Sequence, residues 1–207
     1  MDGSLSCWKE NRKYRVYLKR RSNFGGLRAR VQWGFVSGNS EGGLIMGTGQ
    51  QIFSTDDMKY SLTIDGLLMD KLLSLCERSA RIETGGILIG YYSPKHDNAI
   101  VTDVSSPPPD SERGYTTFVR GIKGLQPWLH KLWTRQRRYY LGEWHFHPFN
   151  SPEPSNTDID QLRKNSETPP LQCPEPVMLI IGGDPKDKWT ARAFVAPKGS
   201  QVLEMRA

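Results

Sequence analysis

The segment 142–158 constrains the fold more than any other part of the chain, because it dictates a strand, a turn and a helix in that order. Side chains alternate between the two faces of a strand, so His145 and His147 project from one face and can approach one ion. The proline that follows them removes a ladder hydrogen bond and ends the strand. A helix is expected to begin at Ser155, which puts Asp158 in its first turn, facing back toward the histidines.

These residue types indicate a catalytic metal site. Two imidazoles and one carboxylate form a three-ligand zinc site that leaves the fourth position for water, so we expect Zn²⁺ at His145, His147 and Asp158. The water then needs a base, and Glu83, at a helix–strand junction just before a Gly-Gly pair, is the candidate. Ser155 is the candidate donor to the tetrahedral oxyanion. The competing zinc motif HExxH is absent from the sequence.

Hydrophobic periodicity around this segment predicts alternating helices and strands. The expected elements are a helix capped by Thr63 and running to Arg78, strands Ile87–Tyr92 and Ala99–Val104, a helix Leu125–Arg138, a strand Tyr139–Phe146, a helix Ser155–Lys164, and a hairpin of Val177–Ile181 with Trp189–Val195. Such alternation predicts an α/β fold with a mixed sheet.

The charge distribution separates an N-terminal extension from the domain. Of the net charge of +6, residues 1–30 carry +7 and the remainder carries −1. We expect a basic, glycine-rich extension at 1–57, as a small hairpin or a disordered arm, and one domain at 58–207. The basic arm is either a solvated tail or a contact for phosphates, so nucleic acid is expected as a partner only through residues 1–30, if at all.

Composition limits the compartment. No apolar run approaches the roughly 18 residues of a membrane span, and the N-terminus has no signal-peptide core. A cytoplasmic protein without a membrane partner is therefore expected. The three cysteines, Cys7, Cys76 and Cys173, are widely spaced and odd in number, which predicts neither a disulfide framework nor a CxxC zinc site.

At Glu83 and in His-x-His-Pro, six residues, then Ser-x-x-Asp, the chain resembles the JAMM (MPN-plus) metallopeptidases over about residues 60–200. The resemblance implies a JAB/MPN-type mixed sheet flanked by helices, with a cytidine-deaminase-like architecture. It also implies the same zinc ligands, the same base, and a serine that assists the intermediate. Members mostly cleave isopeptide or peptide bonds after the C-terminus of ubiquitin or ubiquitin-like partners.

A finer resemblance is to the JAMM deconjugases of bacterial CBASS anti-phage operons. It is carried by the segments 83–90, 107–111 and 142–145. It implies a substrate with an extended C-terminal tail, namely a CD-NTase conjugated through its C-terminus to a target. Two other functions stay open: processing of a ubiquitin-like sulfur-carrier protein, and a metal-stabilised interaction module without catalysis.

Several residues near the site have two interpretations. Glu143 shares the strand face of the histidines, so it either orients a ligand or is an exposed or ion-paired carboxylate. The arginines at 135, 137 and 138 end a helix, where cations suit the dipole, or they bind an acidic partner. Substrate recognition is expected in the loops Ser105–Tyr115, Phe149–Pro154 and Thr168–Pro176, the last of which contains Cys173. We expect no nucleophilic role for this thiol.

Overall fold

The computed structural model describes residues 49–168, 171 and 173–207, so the basic segment 1–30 lies outside the described residues. In chain order the elements are β1 (Gln50–Ser54), β2 (Ser61–Asp65), α1 (Gly66–Ser79), β3 (Thr84–Tyr92), β4 (Asn98–Val104), β5 (Glu112–Arg113), β6 (Phe118–Val119), α2 (Leu125–Gln136), β7 (Tyr139–Pro148), α3 (Asn156–Glu167), β8 (Val177–Gly183), β9 (Trp189–Val195) and β10 (Leu203–Met205).

Eight of the strands form one mixed sheet in the order β1-β2-β4-β3-β7-β8-β9-β10. The pairs β2–β4 and β7–β8 are parallel and the other neighbours are antiparallel. The strand that carries the two histidines, β7, lies near the middle, between β3 and β8. The predicted α/β fold with a mixed sheet flanked by helices is confirmed.

The two faces of β7 have different partners. Trp144 and Phe146 are almost fully buried in a cluster that includes Leu72 and Cys76 of α1. Burial of each large side chain contributes about 2–3 kcal/mol. The opposite face is covered by α2 and α3, which bring Leu129, Leu132 and Leu162 into two smaller clusters. The histidines project toward this second face, so the core on the first face fixes their strand in place.

The start of α1 differs from the prediction. Thr63 is not a helix cap: it lies in β2, where Leu62 and Ile64 are fully buried in the sheet. The cap is Asp65, whose side chain accepts a hydrogen bond of 2.9 Å from the amide of Leu67. The three buried residues at the centre of this short strand are therefore not the first turn of the helix.

The folded domain also begins earlier than residue 58. β1 pairs with β2 along its whole length, from Gln50 opposite Asp65 to Ser54 opposite Ser61. Ser54 further exchanges backbone hydrogen bonds of 2.7 and 2.8 Å with Arg206, close to the end of the chain. The part of 1–57 that the structure describes is therefore an edge strand of the sheet.

The other predicted helices and strands match the structure to within three residues, with β3, β7, β8 and α3 extending further than expected, whereas β5, β6 and β10 were not predicted. The chain reverses after α2 through Arg137 in the left-handed conformation (φ 56°), and its amide bonds back to Leu132 and Trp133. Within the described residues, no helix combines the length and apolarity that crossing a membrane requires.

Candidate metal centre

One side of the site is built where α3 begins. Ser155 caps the helix: its Oγ accepts a hydrogen bond of 3.2 Å from the amide of Asp158 and donates one of 2.7 Å to Asp158 Oδ2. The backbone amide of Ser155 donates to the same carboxylate oxygen at 2.8 Å, which completes a capping box. Oδ1 remains directed at β7, 3.3 Å from His145 Nδ1.

The other side depends on residues distant in sequence. The amide of Glu83 donates to the carbonyl of Gly114 (2.8 Å), and Arg113 Nε donates to the carbonyl of Glu83 (3.2 Å), so the hairpin of β5 and β6 holds the backbone of Glu83. From the same hairpin, the ring of Phe118 packs 5.3 Å from the ring of His145. Glu83 Oε2 then lies 3.4 Å from His145 Nε2.

Gly85 makes this packing possible. A Cβ at this position would lie 2.4 Å from the carbonyl oxygen of Trp144 and 2.6 Å from the ring of Phe118. Any side chain would therefore push the hairpin off His145. A glycine after Glu83 therefore lets β7 and the β5–β6 hairpin approach β3 closely, which explains its presence inside a strand.

The two histidines offer nitrogens suited to a metal. His147 Nδ1 lies 3.3 Å from the carbonyl oxygen of Ser151, a contact that requires the proton on Nδ1 and leaves Nε2 as a lone-pair donor. The His145 and His147 rings are 4.9 Å apart, and one ligand atom each of Glu83, His145 and His147 lie within 4.8 Å of one another. Among the described residues this is the group able to hold a metal ion.

The electrostatics of the site favour a cation. Burial lowers the pKa of His145, but the adjacent carboxylates of Asp158 and Glu83 outweigh it and raise the pKa to about 9. Burial raises the pKa of Asp158, yet His145 and Ser155 bring it down to about 2. His145 Nε2 is buried and has no well-aligned hydrogen-bond partner, only the 3.4 Å contact to the Glu83 carboxylate. Carboxylates beside both ring nitrogens favour a positive charge at this position, and the ligand atoms of Glu83, His145 and His147 are close enough together to fit a divalent metal.

The predicted site residues are thus found together, with one distinction. Glu83, His145 and His147 form the mutually close group, while Asp158 approaches the site through His145 Nδ1. The Ser155 hydroxyl contacts the site through Asp158, to whose Oδ2 it donates its proton. Its predicted contact with an oxyanion, like the division of roles between the two carboxylates, stays a prediction.

Of the two interpretations of Glu143, the structure shows the ion-paired carboxylate. Its Oε1 accepts from Arg120 Nη2 at 2.9 Å and from Tyr140 Oη and Asn165 Nδ2, each at 3.3 Å. This network joins β7, α3 and the loop after β6, and it lines a cavity of about 210 Å³ that reaches His145. The sequence contains no local signal for it, because Arg120 and Asn165 are distant along the chain.

The loop Thr168–Pro176 does not flank the site in its described part. Cys173 is buried, with its thiol 3.5 Å from Tyr92 Oη and 3.5 Å from the carbonyl of Leu141. Tyr92 ends β3, whereas Glu83 immediately precedes its first residue, so the two lie at opposite ends of the strand. Burial raises the pKa of the Cys173 thiol to about 12, which agrees with the absence of a nucleophilic role.

Comparison with known proteins agrees with the geometry. Residues 67–195 match the family described as prokaryotic homologs of the JAB domain. The chain is 41% identical over 154 residues to the CD-NTase/cGAS isopeptidase of Enterobacter hormaechei subsp. hoffmannii (strain UCI 50), covering 74% of this chain and 85% of that protein. It is 29% identical over 139 residues to the probable metalloprotease y4qB of Sinorhizobium fredii (strain NBRC 101917 / NGR234), covering 66% and 84%.

A solved structure supports the fold. The solution structure of protein DSY2949 from Desulfitobacterium hafniense superposes with a TM-score of 0.51 over 68% of this chain and 86% of that one, at 20% identity. The family that the Glu83 and His-x-His-Pro residues suggested is confirmed by the match over residues 67–195 and by the 41% identical relative. The chain belongs to the prokaryotic homologues of the JAB domain.

Proposed function

We propose that this chain is a zinc-dependent isopeptidase that releases a protein joined to a target through its C-terminus. The observation that carries the proposal is the convergence of Glu83, His145, His147 and Asp158 where β3, β7 and α3 meet. Similarity to a protein named CD-NTase/cGAS isopeptidase supports a CD-NTase as the conjugated protein. By the resemblance to deconjugases of CBASS operons, the activity belongs to bacterial anti-phage defence.

His145, His147 and Asp158 hold the metal, and Glu83 is the general base and acid. When bound, zinc supplies a Lewis acid that makes water nucleophilic near neutral pH. The Glu83 carboxylate takes the proton of the attacking water at Oε2 and returns it to the leaving ε-amine of the target lysine. Phe118 shields the ring of His145 from solvent on the side of the hairpin.

The remaining residues orient these groups. The capping box holds Asp158 so that one carboxylate oxygen stays directed at His145. In the complex with substrate, the Ser155 hydroxyl donates to the tetrahedral oxyanion. The carbonyl of Ser151 fixes the ring of His147.

The test uses a CD-NTase linked through its C-terminal carboxyl to a lysine ε-amine of a reporter protein. The protein should separate the two, lose activity in a chelator, and regain it with added zinc. His147→Ala should lose both metal and cleavage, whereas His130→Ala, exposed on α2, should keep both. Cleavage that survives the chelator and His147→Ala would contradict the proposal. Cleavage of a sulfur-carrier precursor in place of the conjugate would transfer the activity to that substrate.

A further inference from the structure

We propose that the basic face of α2 docks an acidic surface of the protein whose C-terminal tail enters the site. This inference rests on the proposed function and adds a second contact with the same substrate. We call basic face the five cationic side chains of α2 and of the residues that flank it: Lys131 and Arg135 in the helix, Lys123 before it, and Arg137 and Arg138 after it.

The charges of the domain are segregated along the chain. Residues 113–142 contain seven Lys or Arg and no Asp or Glu, whereas the described residues outside this stretch contain both signs. Two of the seven have partners near the site: Arg113 bonds to Glu83, and Arg120 is paired with Glu143. None of the other five forms an ion pair with another described residue.

The stability of α2 does not account for this arrangement. The helix dipole favours cations in the last turn, which suits Arg135. It disfavours Lys123, which immediately precedes the N-cap Gly124, where the dipole is positive. Lys131 and Arg135 are four residues apart on one face, a spacing at which like charges destabilise a helix. The cluster therefore imposes a cost that a bound acidic partner would offset.

Two arginines at the end of the face are held against aromatic rings. The guanidinium of Arg137 lies 5.0 Å from the ring centre of Trp133, and that of Arg138 lies 4.2 Å from the ring centre of Tyr91. Stacking restricts these long side chains and leaves their in-plane N–H groups available. A guanidinium held in this way pairs with a carboxylate through two parallel hydrogen bonds at a lower entropic cost.

The basic face is continuous with the catalytic cavity. The Asp110 carboxylate accepts hydrogen bonds from the amides of Ile122 (3.1 Å) and Lys123 (2.9 Å), which fixes the chain just before α2. Ile122 lines the same cavity as His145 and Asp158. The 12 residues of α2 then extend roughly 18 Å from this point. A protein whose tail enters the cavity can therefore contact the adjacent helix, which is why we take a protein rather than a nucleic acid as the occupant.

The test compares two substrates: the full CD-NTase conjugate, and a short isopeptide that contains only its tail residues. Lys131→Glu/Arg135→Glu should lower kcat/KM for the conjugate about tenfold or more at low salt, with the difference shrinking as salt rises. Cleavage of the short isopeptide should not change. Lys59→Glu/Lys198→Glu reverses two exposed charges outside residues 113–142, in the β1–β2 turn and after β9, and serves as the matched control. Equal losses on both substrates, or none on either, would overturn the docking.

Binding of the free, unconjugated CD-NTase separates this inference from the proposed function. Its affinity should fall about tenfold in Lys131→Glu/Arg135→Glu and be retained in Lys131→Arg/Arg135→Lys. If the wild-type protein cleaves neither substrate but shows this binding pattern, the proposed function fails and the docking stands. Salt-sensitive retention of duplex DNA that the charge reversal abolishes, with conjugate binding unchanged, would overturn the docking in favour of a nucleic acid.

Discussion

Two carboxylates approach the ring of His145 from opposite sides, and they are held in different ways. Asp158 is fixed by its own helix end, because three hydrogen bonds join it to Ser155. Within the described part of the chain, the hydrogen bonds of Glu83 are made by its backbone, with Gly114 and Arg113 of the β5–β6 hairpin. Its side chain contacts the site at a single distance of 3.4 Å, to His145 Nε2.

This difference favours a metal-binding role for Asp158 and a proton-transfer role for Glu83. A metal ligand should be preoriented and ionised, and Asp158 is both, since hydrogen bonds to His145 and Ser155 outweigh its burial and hold its pKa near 2. A general base must gain and lose a proton and move slightly during turnover, which a side chain free of local hydrogen bonds permits. We therefore predict that Asp158 holds the ion and that Glu83 transfers protons, although the Glu83 carboxylate is the one that lies close to both histidines.

Neutralising each carboxylate in turn should have the largest effect and distinguish the two roles. Glu83→Gln removes the base, so cleavage of the conjugate should fall about 10²–10⁴-fold while the metal is retained. Asp158→Asn keeps a hydrogen-bonding side chain in the capping box but removes a charged ligand, so both metal and cleavage should be lost. Metal content by atomic absorption and initial cleavage rates check the pair.

The reverse result would exchange the two roles. If Glu83→Gln emptied the site and Asp158→Asn left it filled, the mutually close group of Glu83, His145 and His147 would be the ligand set. Asp158 would then be a positioning residue that acts through His145 Nδ1. Glu167→Gln, at the far end of α3, should change neither the metal content nor the rate and serves as the control.

The charge of the metal-free site should appear as pH-dependent stability. Carboxylates on both sides raise the His145 pKa from 6.5 to about 9, against the effect of burial. A raised folded-state pKa contributes stability that is complete below about pH 6.5 and lost as the pH rises through 9. The shift corresponds to about 3 kcal/mol in the free energy of unfolding. Urea denaturation of the metal-free protein across this range measures it.

Asp158→Asn should flatten that profile, because it removes the largest contribution that raises the His145 pKa. A wild-type profile that is already flat between about pH 6.5 and 9 would mean that the two carboxylates do not act on His145 together. His130→Ala, exposed on α2, should leave the profile unchanged.

The two sides of the site also differ in how far the sequence could predict them. His145, His147, Ser155 and Asp158 fall in one strand–turn–helix segment, so the period of a strand and the spacing of a helix cap were enough to bring them together. Glu83 is instead positioned by the β5–β6 hairpin, whose two-residue strands are too short to show a hydrophobic period in the sequence. It is positioned by contacts across 30 residues, from Arg113 to Glu83.

Contacts with distant residues also explain why β1 and β2 were not predicted. β2 is specified by its neighbours: it pairs with β4, and Thr63 Oγ1 donates to Asn98 Oδ1 at 3.1 Å. Five residues with two buried aliphatic side chains fit a strand or a helical turn equally well until those partners are known. β1 was missed because only Phe53 is deeply buried in it, and glycine-rich sequence precedes it.

Removing the helix cap should weaken the orientation of Asp158 without affecting Glu83. Ser155→Ala deletes the hydroxyl that bonds to both the amide and the carboxylate of Asp158, so the domain should lose about 1 kcal/mol. Zinc affinity should fall about tenfold as Asp158 loses its orientation. Ser155→Thr retains the hydroxyl and should restore both. Competition titration with a zinc chelator gives the affinity, and loss of stability without loss of affinity would limit Ser155 to its structural role.

The smallest effect is expected on the Glu83 side. Arg113→Ala deletes one exposed hydrogen bond of 3.2 Å to the Glu83 carbonyl, a contribution of about 0.5 kcal/mol, so kcat should fall roughly two- to threefold. Zinc affinity should not change, because no bond of Arg113 reaches the histidines. Arg163→Ala, which breaks an exposed pair with Asp160 on α3, is the matched control. A fall in zinc affinity in Arg113→Ala would show that the hairpin orients the metal ligands as well as Glu83. The positions of Glu83 and Asp158 would then depend on each other.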